Sequence, residues 1–179
     1  MRIIAGSHKG HRIFAPQGAE TRPTGDRVRE AAFNLIGPVE EATVLDLYAG
    51  SGAMGLEALS RGAARVVFVE HDREACRTID RNLAKLGFTG ARVLCMDAGR
   101  SLAAEVSAGS RYDLVLVDPP YGMFETLRPL LSSQLPRLLA EDGLVVVETS
   151  SRDEPDLAPL AARTSRRYGN VRLTLFEQP

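Results

Sequence analysis

From residue 43 onward, short apolar runs alternate with longer segments in which apolar residues recur every three or four positions. Such short runs predict strands buried on both faces, and the longer segments predict amphipathic helices. This alternation is typical of right-handed βαβ units, so we expect a parallel sheet. The predicted strands are 43–47, 65–69, 91–95, 112–117 and 143–148. The clearest helices run to about residue 60, from the cap Asp72 to Gly87, and over about 124–140.

The end of the chain follows a different pattern. A short helix near 155–162 is expected to precede two further runs, 164–168 and 171–176, joined at Gly169-Asn170. Two runs joined so closely predict an antiparallel hairpin that closes one edge of the sheet. The expected fold is therefore α/β, with a seven-stranded, mostly parallel sheet and an antiparallel C-terminal hairpin.

Residues 1–36 precede this pattern and are predicted to form an extension, with the main domain over 37–179. Two short runs, 2–6 and 10–14, flank a Ser-His-Lys-Gly turn and predict a β-hairpin. A loop over 15–23 leads to a helix over roughly 27–36, for which Thr24 or Asp26 could serve as the N-cap.

The charge of the chain is unevenly distributed. The formal net charge is −1, yet residues 1–36 hold six Lys or Arg and three acids. Arg22, Arg27 and Arg29 cluster where the first helix begins. A solvated helix face explains such a cluster as well as contact with a nucleic-acid phosphate backbone does.

The cysteine, histidine and hydropathy patterns indicate which compartment, membrane segments and metal sites to expect. Cys76 and Cys95 are too few and too far apart for a disulfide framework or a zinc site, which favours a reducing cytoplasm. No apolar run is long enough for a signal peptide or a membrane span. His8, His11 and His71 do not form a ligand cluster, so no metal site is expected.

A glycine loop follows the first predicted strand. The spacing Gly50-x-Gly52-x-x-Gly55 matches the dinucleotide fingerprint and does not by itself separate NAD from S-adenosylmethionine. No Gly-Lys-Ser/Thr follows, which argues against a nucleoside triphosphate. Glu70 ends the second strand some twenty residues later, where an acid can accept hydrogen bonds from both ribose hydroxyls.

Two further acids lie at strand ends. Asp46 interrupts an apolar strand before the glycine loop, where it could orient the loop amides or meet a cationic group such as a methionine amine. Asp97 follows the third strand, where it could read an adenine amino group, cap the next helix, or do both.

The tetrapeptide Asp118-Pro119-Pro120-Tyr121 follows the fourth strand, at the edge where open α/β sheets bind ligands. The Asp118 carboxylate and the Pro119 carbonyl are acceptors that suit the exocyclic amine of a planar base. Drawing its N–H protons aside would make the nitrogen a better nucleophile, and Tyr121 could stack on the base. The alternative is a purely structural role, in which Pro-Pro ends the strand and Tyr121 covers the core.

Together these features resemble a class I S-adenosylmethionine-dependent methyltransferase that acts on a base amine. The N-terminal part is very similar to the signature of the bacterial 16S rRNA guanine-N2 methyltransferases known as the small-subunit methyltransferase D family. That similarity covers Arg2-Ile-Ile-Ala-Gly6, Lys9-Gly10 and Thr21-Arg-Pro-Thr-x-Asp26-Arg-Val-Arg-Glu-Ala31-x-Phe-Asn34. Residues 43–58, 66–72, 113–121 and 168–173 also fit, so the resemblance extends over essentially the whole chain.

The resemblance implies a Rossmann-like methyltransferase fold and roles for particular residues. Asp118, Pro119, Pro120 and Tyr121 would hold the guanine amine against the methyl group. The implied S-adenosylmethionine site comprises Asp46, Tyr48, Ala49, Gly50, Ser51, Gly52, Glu70, His71, Asp97 and Ala98. Arg22, Thr24, Arg27 and Arg29 would bind RNA or close over the site.

By the same resemblance, the partner is 16S rRNA in an assembling 30S particle. We also expect the enzyme to be a cytoplasmic monomer. The nearest alternative is the same chemistry on adenine N6 of DNA or RNA, since Asp-Pro-Pro-Tyr also suits an adenine amine. The glycine spacing leaves an NAD-dependent oxidoreductase as a second alternative, although no hydride-transfer constellation is evident. A non-catalytic RNA-binding module is a third, and the acidic remainder of the chain argues against it.

Overall fold

In the computed structural model, which describes residues 1–16 and 25–179, seven strands form one sheet. They are β1 (Thr43–Leu47), β2 (Arg65–Glu70), β3 (Ala91–Cys95), β4 (Tyr112–Val117), β5 (Leu139–Ser150), β6 (Ala161–Tyr168) and β7 (Val171–Glu177). Their order across the sheet is β3-β2-β1-β4-β5-β7-β6. Neighbours from β3 to β5 pair in parallel, and β7 runs antiparallel to β5 and β6. The predicted sheet and its closing hairpin are confirmed.

Helices cover both faces of the sheet. Over the same residues they are α1 (Asp26–Ile36), α2 (Ala53–Ser60), α3 (Arg73–Leu86), α4 (Ala98–Ser107) and α5 (Phe124–Leu138). The first three supply Phe33, Leu56 and Ile79 to one hydrophobic core. The other two supply Leu102 and Leu131 to a second core. None of these described helices is long and apolar enough to cross a membrane.

The central strands are buried on both faces because successive side chains enter opposite cores. Val44 and Leu114 lie in the core under α1 to α3, whereas Leu45 and Val115 lie in the core under α4 and α5. These pairs are also register partners in adjacent strands, Val44 with Leu114 and Leu45 with Val115. The two-sided burial explains why the strands read as continuous apolar runs.

The N-terminal segment packs on the domain through its apolar residues. Ile3 and Ile13 are buried in the same core as β1 and α2. The amide of Ile3 donates to the His11 carbonyl at 2.9 Å, and the two chain stretches form a single antiparallel bridge between Arg2 and Arg12. The predicted turn is therefore present, but the paired stretches are too short to count as strands. The boundary at residue 36 stays a prediction.

Glu57, fully buried on α2, anchors this segment. Its carboxylate accepts hydrogen bonds from the amides of Ile4 and Ala5, at 2.8 and 2.9 Å, and from Arg61 Nε at 2.8 Å. Arg29 Nε lies 3.6 Å from the same carboxylate. A buried carboxylate is tolerated where cations and amides satisfy it, so this cluster fastens residues 1–16 and α1 onto the helix that follows the glycine loop.

The RNA contact predicted for Arg29 is therefore wrong. Its side chain is fully buried, and besides Glu57 it donates to the Arg2 carbonyl and to Asp26 Oδ1. A guanidinium enclosed in this way is not available to an RNA phosphate. The error has a physical cause: Glu57, which neutralises it, lies 28 positions further along the chain.

Some predicted boundaries and one predicted helix also differ from the structure. Gly25 is the N-cap of α1, without a side-chain hydrogen bond, and Asp26 is the first helical residue. Strand β5 begins at Leu139 instead of residue 143, because Leu139 pairs with Tyr112 before a register shift. The helix expected near 155–162 is absent: turn and irregular backbone lead directly into β6. Pro159 explains this, since proline lacks an amide donor and disfavours the α conformation in the residue before it.

Replacing Glu57 tests the anchoring cluster. We expect Glu57→Ala to lower the free energy of unfolding by about 3–5 kcal/mol, because it leaves the buried Arg29 guanidinium poorly compensated. Glu30→Ala, at an exposed position of α1, is the control and should change stability by less than about 0.5 kcal/mol. Urea unfolding of both variants provides the measurement. Equal stability of the two variants would contradict the anchoring role.

Candidate functional site

A cavity of about 500 Å³ opens at the carboxyl ends of β1, β2, β4 and β5. The strand order reverses between β1 and β4, so this edge is a topological switch point, where open α/β sheets bind ligands. The glycine loop after β1, the residues that end β2 and the tetrapeptide after β4 all contribute to the lining. The structure therefore joins in one cavity three motifs that are far apart in sequence.

The glycines of the loop have separate roles. Gly50 lines the cavity with φ 55°, and a Cβ added there would meet no atom within 4 Å, so the backbone is open to a ligand. Gly52 caps α2 with φ 79°. A Cβ on Gly55 would lie 2.3 Å from the Phe68 ring, so this glycine allows α2 to pack closely on β2. Tyr48, which lines the cavity, holds a left-handed φ of 65° that is costly for a side chain of this size.

Glu70 connects the end of β2 to the glycine loop. Its side chain is almost fully buried, and Oε2 accepts a hydrogen bond from the Gly50 amide at 2.9 Å. Oε1 accepts from the amides of His71 and Asp72 at 2.8 and 2.9 Å. Three backbone donors hold the carboxylate at the cavity wall, and the ribose contact expected of it stays a prediction.

Asp46 lies beneath the same loop. Its side chain is 3% exposed, and Oδ2 accepts a hydrogen bond from the Gly55 amide at 2.8 Å. Burial raises the pKa of Asp46 to about 7, and the nearby charges of Asp118 and Glu70 add to the rise, while the Gly55 amide opposes it. The carboxyl group therefore titrates near neutral pH, and a cation in the cavity would favour its ionised form.

The tetrapeptide after β4 forms the opposite wall. Asp118 and Pro120 are exposed, Pro119 is buried, and the Tyr121 ring is 79% exposed at the mouth of the cavity. The Met123 amide donates to the Pro120 carbonyl at 3.0 Å, which closes the turn after the tetrapeptide. An exposed aromatic ring beside a carboxylate is an arrangement that can hold a planar base.

The lining of the cavity is strongly acidic. Among the residues that the structure describes there, six carry carboxylates and none is Lys or Arg. The six are Asp46, Glu70, Asp72, Asp118, Glu148 and Asp153. Asp72, Glu148 and Asp153 were missed as site residues from the sequence. Asp72 was assigned only as a helix cap, and Glu148, like Glu70, is an acid that comes after an apolar run. The charge of the cavity favours a cationic ligand over an anionic one.

Asp97 and Ala98 are not among the lining residues described. Asp97 is exposed, and its side chain accepts a hydrogen bond from the Arg100 amide at 3.0 Å as the N-cap of α4. The cap prediction is confirmed, and the contact with adenine stays a prediction. Asp97 does lie within electrostatic reach of Tyr48, since its charge, after burial, helps raise the pKa of Tyr48 to about 12.

The remaining predicted residues lie around these walls or outside the described chain. Ala49, Ser51 and His71 line the cavity as expected. Arg27 is exposed on α1, whereas Arg22 and Thr24 fall outside the described residues.

Comparisons with known proteins agree with the geometry. YlbH of Bacillus subtilis, named as a proposed rRNA methyltransferase, is 41% identical over 182 residues, which is 99% of each chain. The Ribosomal RNA small subunit methyltransferase D of Escherichia coli is 41% identical over 152 residues, 83% of this chain and 74% of that protein. The solved structure of Escherichia coli yhhF, a proposed methyltransferase, superposes with a TM-score of 0.85 at 37% identity, covering 99% of this chain and 97% of that one.

The fold is thus the Rossmann-like α/β fold of solved methyltransferase structures. A family model described as Conserved hypothetical protein 95 matches residues 1–177, and the chain belongs to this family. The resemblance to the small-subunit methyltransferase D proteins, drawn first from sequence motifs, is confirmed by these matches.

The raised pKa of Asp46 predicts a particular pH dependence of stability. Because the folded-state pKa lies near 7 and the ordinary value is 3.8, the folded protein holds this proton where the unfolded chain has lost it. The free energy of unfolding should therefore fall as pH rises from about 4 to about 7 and change little from this group above that. Asp46→Asn, which keeps an acceptor for Gly55, should remove this fall.

Urea unfolding of the wild type and Asp46→Asn at several pH values between 4 and 8 tests the assignment. The variant should gain stability relative to the wild type as the pH rises. Parallel stability profiles for the two proteins would contradict a raised pKa at Asp46.

Proposed function

We propose that the protein transfers a methyl group from S-adenosylmethionine to the exocyclic N2 amine of a guanine in 16S rRNA. The observation that carries the proposal is the single cavity that joins the glycine loop and Glu70 to Asp118–Tyr121. A cofactor held by the first group and a base held by the second would meet within it.

The charge of the cavity supports S-adenosylmethionine as the cofactor. When bound, this cofactor supplies an electrophilic methyl group on a positively charged sulfur, and its methionine part carries an ammonium group. Six carboxylates suit such a ligand, whereas the pyrophosphate of NAD would meet repulsion without a described Lys or Arg in the lining. The glycine spacing alone left both cofactors open, so lining charge is the feature that favours one.

Different residues would bind different parts of the cofactor. Glu70 is placed to accept from the ribose hydroxyls, and Asp46 complements the positive charge of the cofactor. The open backbone at Gly50 allows close approach of the ligand. These roles need no movement of the loop, because the amides of Gly50 and Gly55 already hold the two carboxylates in position.

On the other side of the cavity, Asp118 and the Pro119 carbonyl accept the N–H protons of the target amine. Their pull localises the nitrogen lone pair, which is otherwise delocalised into the base, and directs it towards the methyl group. Tyr121 stacks on the base and holds its plane, a contact worth about 1–3 kcal/mol per base. The base must leave its stack to reach this position, which is easiest from a loop or an end.

The preference for guanine in 16S rRNA is supported by the N-terminal signature and by the Escherichia coli relative named as a small-subunit methyltransferase. An assembling 30S particle is the proposed substrate, since its RNA is folded while target bases remain reachable. A cytoplasmic monomer suffices for the chemistry, because one chain supplies both walls of the cavity. Within it, residues 1–36 act as the RNA-binding extension of a methyltransferase domain over 37–179.

Replacing Asp118 tests the proposed chemistry. Asp118→Ala should lower kcat for methyl transfer to 16S rRNA by about 10²–10³-fold, the usual effect of losing one preorganised hydrogen-bonding group at a reacting centre. Its affinity for S-adenosylmethionine, measured by calorimetry, should stay nearly unchanged. Asp142→Ala, at an exposed position near the amino end of β5, is the control and should retain full activity. Full activity of Asp118→Ala would remove this residue from the mechanism.

A further inference from the structure

The outward face of α3 carries four cations at every fourth position. Arg73, Arg77, Arg81 and Lys85 are all exposed, and we call them the α3 basic face. Residues four apart on a helix lie on the same side and about 6 Å apart along the axis, so the face is about 18 Å long. The opposite side of the helix packs into the core through Cys76, Ile79, Leu83 and Leu86.

Carboxylates neutralise this face only weakly. Glu74 lies 3.7 Å from Arg77 in an exposed pair, which contributes little in water. Asp80 is exposed on the same side of the helix and forms no ion pair with another described residue. Within the described residues, no carboxylate lies within 4.0 Å of the charged groups of Arg73, Arg81 or Lys85.

The N-terminal segment holds part of this face in place. The Phe14 ring lies 4.5 Å from the Arg81 guanidinium and 4.6 Å from Lys85 Nζ, and both are cation–π contacts. Lys85 Nζ also donates to the Arg12 carbonyl at 2.6 Å. Asn82, fully buried on α3, fixes Phe14 by accepting from its amide at 2.7 Å and donating to its carbonyl at 3.0 Å. The two cations are therefore ordered without being neutralised.

The α3 basic face begins next to a residue that lines the cavity. Arg73 directly follows Asp72, which lines the cavity, and Pro16, two residues after Phe14, lines it as well. The cavity itself is acidic and repels phosphate. A nucleic acid that inserts one base there must have its flanking phosphates held outside, on a positive surface next to the mouth.

From this arrangement we infer that the α3 basic face binds the phosphate backbone of the rRNA that flanks the target base. The inference rests on the proposed function for the identity of the RNA. It adds a surface separate from the arginines at the start of α1. The contacts are electrostatic, so they position the RNA and do not select its sequence.

Paired substitutions test this surface. Arg77→Ala with Arg81→Ala should weaken binding of unmodified 16S rRNA at least about tenfold at 0.1 M salt and reduce the slope of log K against log salt by about 1.4–1.8, as expected for two lost phosphate contacts. The lysine pair Arg77→Lys with Arg81→Lys keeps the charge and should retain most of the binding. Affinity for S-adenosylmethionine should not change in either variant.

The control pair is Arg65→Ala with Arg111→Ala. Arg65 begins β2 and Arg111 precedes β4, so both exposed arginines lie at the opposite edge of the sheet from the cavity. The pair should leave RNA binding and its salt slope unchanged. An equal loss in the control pair, or no loss in the α3 pair, would overturn the inference.

The two proposals fail separately. If the wild type methylates 16S rRNA and the α3 pair binds it normally, the surface is wrong and the function stands. If the α3 pair binds RNA weakly but the wild type transfers no methyl group, the surface stands and the function is wrong.

Discussion

The arrangement of this protein depends on keeping carboxylates at the carboxyl edge of a parallel sheet. Asp46 and Glu70 are almost fully buried there, close enough for the charge of one to raise the pKa of the other. Backbone amides make this possible: Gly55 donates to Asp46, and Gly50, His71 and Asp72 donate to Glu70. The glycine loop is therefore shaped by the two acids it binds, and the residual negative charge is left for a cationic ligand.

The N-terminal segment is attached to the elements that hold this acidic edge of the sheet. Glu57 fixes it to α2, which starts at the glycine loop, and Asn82 fixes it to α3 while also donating to the Ser51 carbonyl of that loop at 3.3 Å. Met1 and Pro16 line the cavity at either end of the segment. A segment that the sequence presents as a separate basic extension thus forms part of the cavity wall and orders the cations of the α3 basic face.

The sequence predicts the central fold well because local patterns determine it. Strands buried on both faces are largely apolar, and the spacing from Gly50 to Gly55 favours a tight turn into a helix. Asp72 and Gly87 mark the ends of α3 by local capping chemistry, and both ends agree with the structure.

What the sequence does not predict depends on residues that meet only in the fold. Arg29 belongs to an apparent surface cluster in the sequence, yet in the fold it is buried and forms an ion pair with Glu57. The acidity of the cavity is a collective property of strand ends from Asp46 to Asp153, so no single motif reveals it. The regular spacing of the four cations on α3 is visible in the sequence. That they form an ordered surface near the cavity depends on Phe14 and on the fold. The negative charge of the cavity also favours S-adenosylmethionine over NAD, a choice that the glycine spacing leaves open.

The most direct test of the proposed function is the identity of the methylated nucleoside. The protein would be incubated with S-adenosylmethionine labelled in its methyl group and with unmodified 16S rRNA, free or in assembling 30S particles, and the RNA then digested to nucleosides. We expect label in N2-methylguanosine. Label in N6-methyladenosine would contradict the assignment of the base, and absence of label from the RNA would contradict the proposed function as a whole.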